Sequence, residues 1–406
     1  MKKVVSIMVV LVMICALLAG CGQTSTGESA ASESSAAATK AVESAADTQE
    51  SAAASEAAGA PQGIKIGVSG WDNTSALGLE VDEYLQMAAN ALGCEYTFLV
   101  DGFDPDTQIA NIENLIASGC QAVFLCNSSE AILPKLISIC EENKVYLGLY
   151  MRQIVDEDVR KMAEESQYFI GVTHEDEENV GYLLGCALAD KGATQVGFIT
   201  WNRGDATNEA RYAGYKRAFE EKGVTILAEE WEVTTAEAAA SATERFIAAY
   251  PEMDGLVCCG GGGEPLEGTM TTLKNHDLTG KIPLVSSDFG PNIAEQLKNG
   301  EIAAMTGGHS VDALYEFMLL YNYATGNPLS DEGYIEIKDT PIVLTSYDDA
   351  VAYDKWCKSD IKAYTEDEIR DMAVAFNPDF TLDELKSIAE AYSVDDVAQR
   401  HADLVK

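Results

Sequence analysis

Arg152 occupies a position in the chain where a side chain could bind a ligand. It comes two residues after the apolar run VYLGLY (145–150), which has the pattern of a strand covered on both faces. In open parallel sheets the ligand crevice lies off the carboxyl ends of the strands. A guanidinium at such an end can donate directional hydrogen bonds to ligand oxygens. Arg152 is therefore expected at the edge of the sheet where a ligand crevice would lie.

The stretch from 101 to 153 must position this arginine, and its pattern predicts helix, strand, helix, strand. Asp104 can cap the first helix, and Pro105 fits its first turn. Apolar residues then recur at helical spacing: Ile109, Ile112, Leu115 and Ile116. The short apolar run AVFLC (122–126) is typical of a buried strand. Strands that alternate with helices through short links form right-handed crossovers in a parallel sheet.

Cofactor and catalytic motifs are missing from the sequence. The first predicted strand leads into GVSGW (67–71) without G-x-G-x-x-G, and the four glycines at 260–263 lack the Lys-Ser/Thr of a P-loop. No G-x-S-x-G elbow occurs, and the four histidines and ten cysteines show no metal-ligand spacing. The sequence predicts no cofactor, no metal site and no catalysis. A secreted α/β enzyme is the less favoured alternative.

Size and charge restrict the class of protein. The 406 residues are 47% hydrophobic, enough for two compact units with their own cores. The 27 basic and 66 acidic side chains give a net charge of -39. So large a negative charge repels phosphate backbones, which excludes nucleic acid as a partner, and it keeps the protein soluble and monomeric.

The first residues have the pattern of a secretion signal. Lys2 and Lys3 precede an apolar run from 4 to 18, and the sequence LAGC that ends at Cys21 resembles the bacterial lipobox. Lipidation of Cys21 would anchor the mature chain to the membrane, with residues 1–20 removed. A single-pass helix is the alternative, but the run is short for a bilayer. Residues 21–63, rich in Ala, Ser and Glu, predict a disordered tether.

Eight cysteines follow Cys21: Cys94, Cys120, Cys126, Cys140, Cys186, Cys258, Cys259 and Cys357. The even count is compatible with disulfides. Most of these residues occupy apolar strand or helix positions with no regular spacing, in a chain large enough to fold without cross-links. The pattern therefore favours small buried hydrophobic side chains.

Two successive sets of alternating strands and helices, of similar size, predict two similar α/β lobes. A segment of different character follows from about residue 348. There Thr365-x-x-Glu368 and Thr381-x-x-Glu384 match capping boxes that open helices, and Ser393-x-x-Asp396 is a weaker version. We expect a helical C-terminal extension that wraps the lobes.

The order of several motifs resembles the sugar-binding branch of the type I periplasmic binding proteins, which capture solutes for ABC importers. The resemblance rests on the lipobox, the tether, DPDTQIANIENLIASGCQAVFL, GYLLGCALADKGATQVGFIT, RYAGY (211–215) and VSSD (285–288), over residues 64–345. It implies two doubly wound parallel-sheet lobes joined by a hinge of three crossings, near His174, Gly308 and 326–335. The first lobe is expected to comprise residues 64–173 and 309–330, and the second lobe residues 174–308. The final crossing strands are expected at 331–347, and the C-terminal extension at 348–406.

The resemblance also implies which residues meet a ligand between the lobes. Arg152, Arg211 and Asp288 match the arginines and the carboxylate of such sites. Trp71, Asp72 and Asn73 follow the first strand, where family members contact ligand, and Trp201 and Arg203 follow a second-lobe strand at the equivalent level. Gly262, Glu264 and His309 complete the expected set. Planar side chains would stack on the C–H faces of a polyol while charged groups bond its hydroxyls.

Three positions depart from the sugar-binding pattern. Met151 stands where an aspartate is common, Gly262-Gly263 where Asn-Asp is usual, and Gly308-His309 where glutamine is frequent. Without these partners a simple pentose or hexose is in doubt. The glycines leave backbone amides exposed, and together with two arginines these amides could bind a bulkier or partly anionic ligand. Equally, the glycines could serve only to allow close packing of the helix that follows them.

Two other functions share this architecture. Transcription repressors with such lobes begin with a DNA-reading helix-turn-helix, whereas this chain begins with a signal-like segment. A sensory binding protein that feeds a membrane kinase or receptor requires the same closure as a transport protein, so the sequence does not separate the two. Genes for a permease and ATPase, or for a histidine kinase, beside this one would do so.

The lipid anchor can be tested directly. Cys21→Ser should release the protein from cells into the medium, because no diacylated residue would then hold the mature chain. Immunoblots of membrane and medium fractions measure this. Continued retention of the variant in the membrane fraction would favour a spanning helix.

Overall fold

A computed structural model describes residues 61–259, 264–290, 292–331, 333–358 and 362–404. The predicted signal peptide, Cys21 and nearly all of the tether lie outside the described residues, as do the glycines at 260–263 and the side chain of Glu264. Within the part of the chain that is described, no helix combines the length and apolarity needed to cross a bilayer.

The first lobe begins with five strands that alternate with helices. In chain order these are β1 (Lys65–Gly70), α1 (Ala76–Leu92), β2 (Glu95–Val100), α2 (Pro105–Ala117), β3 (Ala122–Leu125), α3 (Leu133–Asn143), β4 (Tyr146–Tyr150), α4 (Glu157–Glu165) and β5 (Phe169–Glu175). The second lobe repeats the alternation with α5 (Glu177–Asp190), β6 (Gln195–Ile199), α6 (Ala206–Lys222), β7 (Thr225–Glu230), α7 (Ala236–Ala249), β8 (Gly255–Cys258), α8 (Glu264–Asn275), β9 (Leu284–Ser287), α9 (Ile293–Asn299) and β10 (Ala304–Gly307).

Three more elements complete the two sheets: α10 (Val311–Ala324), β11 (Ile335–Asp339) and β12 (Ile342–Leu344). The first sheet has the order β11-β5-β4-β3-β1-β2 and the second the order β12-β10-β9-β8-β6-β7. The two orders correspond strand for strand, which confirms the prediction of two similar doubly wound lobes. The second sheet is not wholly parallel, because β12 enters it from the hinge and runs antiparallel to β10.

Local sequence explains the stretch around Arg152. The Asp104 side chain accepts a hydrogen bond from the Thr107 N–H at 2.8 Å, and Pro105 is the first residue of α2, as predicted. All four residues of β3 are buried. Helix α4 was not predicted from the sequence, because few of its nine residues are apolar and only Val159 and Ala163 are buried.

The three chain crossings between lobes define the hinge. The first follows Glu175 at the end of β5, and the second follows Gly307 at the end of β10. The third lies between Asp339 and Ile342, where β11 of the first sheet gives way to β12 of the second. This crossing lies within the range 331–347 predicted for the final crossing strands, whereas the narrower placement at 326–335 was wrong, because that segment links α10 to β11 and both pack in the first lobe.

Helix α10 forms the core beneath the first sheet. Its first twelve residues are all buried, which is typical of a helix surrounded by protein. It packs against β3, β4, β5 and α1. Burial raises the pKa of its Glu316 to about 8, although the Thr173 hydroxyl donates to that carboxyl at 2.9 Å.

The C-terminal extension is helical, as predicted, with α11 (Tyr347–Tyr353), a short π-helix (Asp354–Lys358), α12 (Glu366–Asp371), α13 (Leu382–Ala391) and α14 (Val394–Arg400). Both capping boxes form: the hydroxyls of Thr365 and Thr381 accept the N–H groups of Glu368 and Glu384, whose carboxylates bond back. None of the eight described cysteines is in a disulfide.

The extension contacts both lobes and the hinge. On the second lobe, α11 packs on α9, and the Tyr353 ring lies 4.9 Å from the Phe289 ring. On the first lobe, α12 lies on α1, where Arg370 donates to the last turn of that helix at 2.9 Å. At the second crossing the Tyr392 hydroxyl donates to the Gly308 carbonyl at 3.2 Å. The extension is therefore part of the folded body.

Removing the Tyr353 ring should destabilise the whole domain. The side chain is 2% exposed, so Tyr353→Ala should lower the free energy of unfolding by about 3 to 5 kcal/mol, the usual range for large aromatic truncations. Tyr347→Ala is the matched control, because that ring begins the same helix and is 38% exposed, and it should cost less than about 1 kcal/mol. Guanidinium unfolding measures both. Equal losses would show that the extension does not pack on the lobes in this way.

Candidate functional site

A cavity of about 480 Å³ lies between the lobes, off the carboxyl ends of both sheets. Seven of the residues predicted from sequence line it: Trp71, Asp72, Arg152, Trp201, Arg211, Asp288 and His309. A larger depression of about 710 Å³ lies behind the hinge, between β11 and α13. We place the candidate site in the smaller cavity because strand ends of both lobes meet there, as expected for doubly wound sheets.

Aromatic rings form the first-lobe wall of this cavity. The ring of Trp71 stacks on Phe103, with centroids 5.6 Å apart and planes at 4°, and a tilted contact at 6.3 Å joins it to Tyr150. The Arg152 guanidinium lies 5.7 Å from the centre of the Phe103 ring. Trp201 and Phe289 line the cavity from the second lobe. Such planar faces on opposite sides suit the C–H faces of a sugar ring.

Two residues with unusual backbone conformation occupy equivalent places in the two lobes. Met151 follows β4 with φ 55°, and Asp288 follows β9 with φ 67°. The left-handed region is unfavourable for residues other than glycine, least so for Asp and Asn, and persists where surrounding structure imposes it. Both residues line the cavity. The turn after the fourth strand of each lobe therefore aims its residues at the same space.

Arg152 and Asp72 are held by local hydrogen bonds. The Arg152 guanidinium donates to the Asn127 carbonyl at 3.1 Å and to the Met151 carbonyl at 2.7 Å. The Asp72 carboxylate accepts the N–H groups of Ser75 and Thr74 at 2.6 and 2.7 Å. Burial opposes ionisation of Asp72, but these bonds lower its pKa below the ordinary value.

Arg211 lies at the centre of a buried charge network. Its Nε donates to Glu177 at 2.5 Å and its Nη1 to the Ser287 hydroxyl at 2.9 Å, while Nη2 is 3.7 Å from Glu175. Burial raises the pKa of Glu177, although the guanidinium of Arg211 opposes the shift. Arg211 itself is 5% exposed. Its donors are therefore largely committed within the protein.

Close helix packing positions this network. Arg211 is on α6, and Glu177 is the first residue of α5. A Cβ atom at Gly214 would lie far inside contact distance of the Glu178 carbonyl oxygen, and one at Gly181 would collide with the Arg211 carbonyl. The two glycines allow α5 and α6 to touch along their backbones, which brings the guanidinium to its carboxylate.

His309 joins the network at the second crossing. Its Nδ1 lies 3.3 Å from the Glu175 carboxylate and its Nε2 lies 3.6 Å from Asp288. Burial alone would lower the pKa of His309, but Glu175, and then Asp288, raise it to about 9. The imidazole is therefore charged at neutral pH.

Two further acids lie beside it, at the second and third crossings. Asp312 and Asp339 are 0% and 3% exposed, and they interact with each other. Burial, and then the charge of Asp339, raise the pKa of Asp312 well above its ordinary value. Burial and the neighbouring Glu175 raise the pKa of Asp339 to about 7. Asp312 lines the cavity, whereas Asp339 lines the depression behind the hinge.

The structure does not bring every predicted residue to the cavity. Asn73 is half-buried beside it but does not line it. Arg203 packs on the Trp231 ring at 3.5 Å, pairs with Glu229 at 3.3 Å and lines a neighbouring depression that it shares with Arg152. Gly262 and the side chain of Glu264 lie outside the described residues, so their roles stay predictions.

Sequence analysis missed several residues that line the cavity: Phe103, Met151, Glu175, Glu177, Asn208, Phe289 and Asp312. Some had a detectable signal. Phe103 follows the Asp-Gly that comes directly after β2, and Glu175 and Glu177 belong to the polar run HEDEEN (174–179), which begins with the last two residues of β5. Asp312 had none, because it is one of two acids in a largely apolar helix whose packing cannot be read from the sequence. Among the described residues, no group of three or more His, Cys, Asp or Glu side chains could hold a metal ion.

A family model described as a periplasmic binding protein domain matches residues 66–328. No curated protein sequence matches the chain at a significant level.

Solved structures share the fold over most of the chain. A periplasmic ribose ABC transporter protein from Conexibacter woesei has 17% identity and a TM-score of 0.63, covering 73% of this chain and 96% of its own. A solute-binding protein from Actinobacillus succinogenes with bound D-allose has 18% identity and a TM-score of 0.62, covering 71% and 100%. One from Bacillus halodurans with bound myo-inositol has 15% identity and a TM-score of 0.60, covering 72% and 97%. At these identities the agreement concerns the fold.

The raised pKa of His309 predicts a pH dependence of stability. Its folded-state value of about 9 exceeds the ordinary 6.5, so the stabilisation is complete below about pH 6.5 and is lost as pH rises through 9. The loss between pH 6 and pH 9.5 should be roughly 3 kcal/mol, at about 1.4 kcal/mol per pKa unit. The measurement is the free energy of unfolding of the wild type and His309→Gln at pH 6 and pH 9.5.

His309→Gln should lose less stability than the wild type over this interval, because the other titrating groups are present in both proteins. His276→Gln, at a half-exposed histidine paired with Glu244, is the control and should follow the wild type. Parallel profiles for wild type and His309→Gln would contradict the assigned charge of the imidazole.

Proposed function

The chain belongs to the periplasmic binding protein family, and from this premise we propose that it is an extracytoplasmic solute-binding protein that captures a carbohydrate or a related small polar ligand between its lobes. It then delivers the ligand to an ABC transporter permease. The role is binding and not catalysis. Of the solved structures described above, one is named for ribose transport, one has bound D-allose and one has bound myo-inositol, which supports a polyhydroxylated ligand.

One observation carries the proposal: aromatic and charged side chains of both lobes line a single cavity at the strand ends. Trp71 and Phe103 offer one wall and Trp201 the other. Asp288 and Arg152 stand at the ends of β9 and β4, where their polar groups can meet hydroxyls. A cavity of about 480 Å³ has the size of small-molecule sites.

Closure of the hinge is the step that converts binding into a signal for the permease. A ligand shifts an open–closed equilibrium only by its differential affinity for the two states. Contacts with Trp71 on one lobe and Asp288 on the other can exist together only when the lobes are near each other. Ligand contacts with both lobes therefore favour the closed form, which the permease would recognise.

The location follows from the same family. We propose that the lipid on Cys21 holds the protein at the outer surface of the cell membrane, with residues 22–63 as the tether. A sensory protein that signals to a membrane kinase or receptor remains the alternative, since it would use the same closure.

The ligand class can be tested by a thermal-shift screen of the mature chain with Cys21→Ser. The panel is D-ribose, D-allose, L-arabinose, D-glucose, D-glucosamine and myo-inositol. A ligand that binds only the folded form raises the unfolding temperature. A panel in which no compound shifts the transition would contradict a carbohydrate ligand.

Substitution of Asp288 should weaken binding of any compound that shifts the transition. Asp288→Asn keeps a residue that tolerates positive φ and should cost about 1.5 to 3 kcal/mol of binding free energy, the scale of hydrogen bonds to charged groups. Calorimetric titration measures it. Arg245→Ala, at an exposed arginine paired with Glu230 on the second-lobe surface, is the control and should bind as the wild type does. Unchanged affinity in Asp288→Asn would remove Asp288 from the site.

A further inference from the structure

The floor of the cavity carries an acidic oxygen that lacks a hydrogen-bond partner, beside a buried pair of acids. Within the described part of the chain, Oε1 of Glu175 is buried and accepts no hydrogen bond, and the buried carboxyl of Asp312 has no hydrogen-bond partner except the carboxyl of Asp339. The two residues are 3% and 0% exposed, and both line the cavity. Burying an unpaired polar atom is costly, so native proteins usually satisfy such atoms. The unpaired oxygen of Glu175, next to a carboxyl whose one partner is another acid, indicates a ligand that donates hydrogen bonds there.

The balance of charged side chains around the cavity indicates whether the ligand group that donates hydrogen bonds is cationic or anionic. Its described lining holds six carboxyl side chains (Asp72, Glu175, Glu177, Asp205, Asp288 and Asp312) against three cationic ones (Arg152, Arg211 and His309). An anionic ligand would therefore meet excess negative charge. A cationic group would reduce it.

The three cationic side chains do not neutralise Asp312. Arg211 is committed to Glu177 and Ser287, and Arg152 donates to the backbone carbonyls of Asn127 and Met151. His309 pairs with Glu175 and Asp288. In the described part of the chain, no basic side chain lies within 4.0 Å of the carboxyl oxygens of Asp312 or Asp339.

Resting on the proposed function, we propose that the ligand is a polyhydroxylated compound that bears a protonated amine, with the ammonium group bound at Glu175 and Asp312. An ammonium has three N–H donors, enough to reach the unpaired oxygen of Glu175 and the carboxyl oxygens of Asp312 together. The rings of Trp71, Trp201 and Phe289 line the same cavity and attract cations through their faces. Asp312 is then the residue that sets specificity for an amino compound over its hydroxyl counterpart.

Neighbouring charged groups affect whether Asp312 and Asp339 are protonated. Asp339 from β11, Glu175 from β5 and Glu177 from α5 all act on Asp312 and favour its protonated form, whereas His309 acts on Asp339 and favours ionisation of that carboxyl. An incoming ammonium would favour the ionised acid. Binding of the amino compound should therefore release a proton to the solvent, whereas binding of a neutral sugar should not.

The experiment titrates the mature chain carrying Cys21→Ser with matched pairs at pH 6.5: D-glucosamine with D-glucose, and D-galactosamine with D-galactose. We expect each amine to bind at least about tenfold more tightly than its hydroxyl partner, because hydrogen bonds between charged groups exceed those of a hydroxyl. Titrations in two buffers of different ionisation enthalpy should show proton release for the amines alone.

Asp312→Asn should reduce the ratio of the two affinities to about one and abolish the proton release. Glu316→Gln is the matched control. Glu316 is a buried acid on the same helix whose Oε1 is also unpaired, but it does not line the cavity, so the wild-type ratio should persist. Thermal unfolding of both variants confirms that they are folded.

The outcomes separate this inference from the proposed function. Neutral sugars that bind as tightly as their amines would overturn the amine assignment but not the proposal of sugar capture. Asp312 and Asp339 would then share a proton and form an uncharged pair. A preference for amines that survives in Asp312→Asn would overturn the role of Asp312. Failure of every sugar and amine to bind would count against both.

Discussion

The structure depends on a buried charge network in which all three hinge crossings meet. Glu175 and Glu177 belong to the first crossing, His309 and Asp312 to the second, and Asp339 to the third. Arg211, from the second lobe, reaches into the same cluster. Buried ions are expensive unless each has partners, so the relative positions of the three crossing strands are tightly constrained. The cavity opens directly onto this cluster, and a bound solute would change its balance of charge.

The remainder of the site is prepared by backbone geometry. The fourth strand of each lobe ends in a residue with positive φ, Met151 in one and Asp288 in the other, so the two similar lobes present their turns to the same space. The Trp71 ring is held by its stack on Phe103, and Arg152 by bonds to two carbonyl oxygens. Side chains held in this way lose little freedom when a ligand arrives, which favours affinity.

The C-terminal extension connects the site to a larger part of the molecule than two lobes alone would provide. Tyr353 packs on Phe289, next to Asp288 in the chain, and Tyr392 bonds the carbonyl of Gly308, next to His309. The same segment lies on α1 of the first lobe through α12. Any change in the angle between the lobes must therefore be accommodated by this helical segment, which contacts both of them.

The sequence by itself determined the alternation of strands and helices, the two equivalent lobes and the helical extension, because hydrophobic period and capping residues are local properties. It also indicated Arg152, because strand ends can be read from pattern, and Asp288 through motif order. It placed the final crossing strands at 331–347 but not the crossing point between them, since only sheet pairing shows that β11 and β12 belong to different lobes. Nor could it find Asp312, an acid within a largely apolar helix, or show that Arg203 packs on Trp231. The tertiary structure decided these points, because which buried charges meet depends on contacts between residues far apart in the chain.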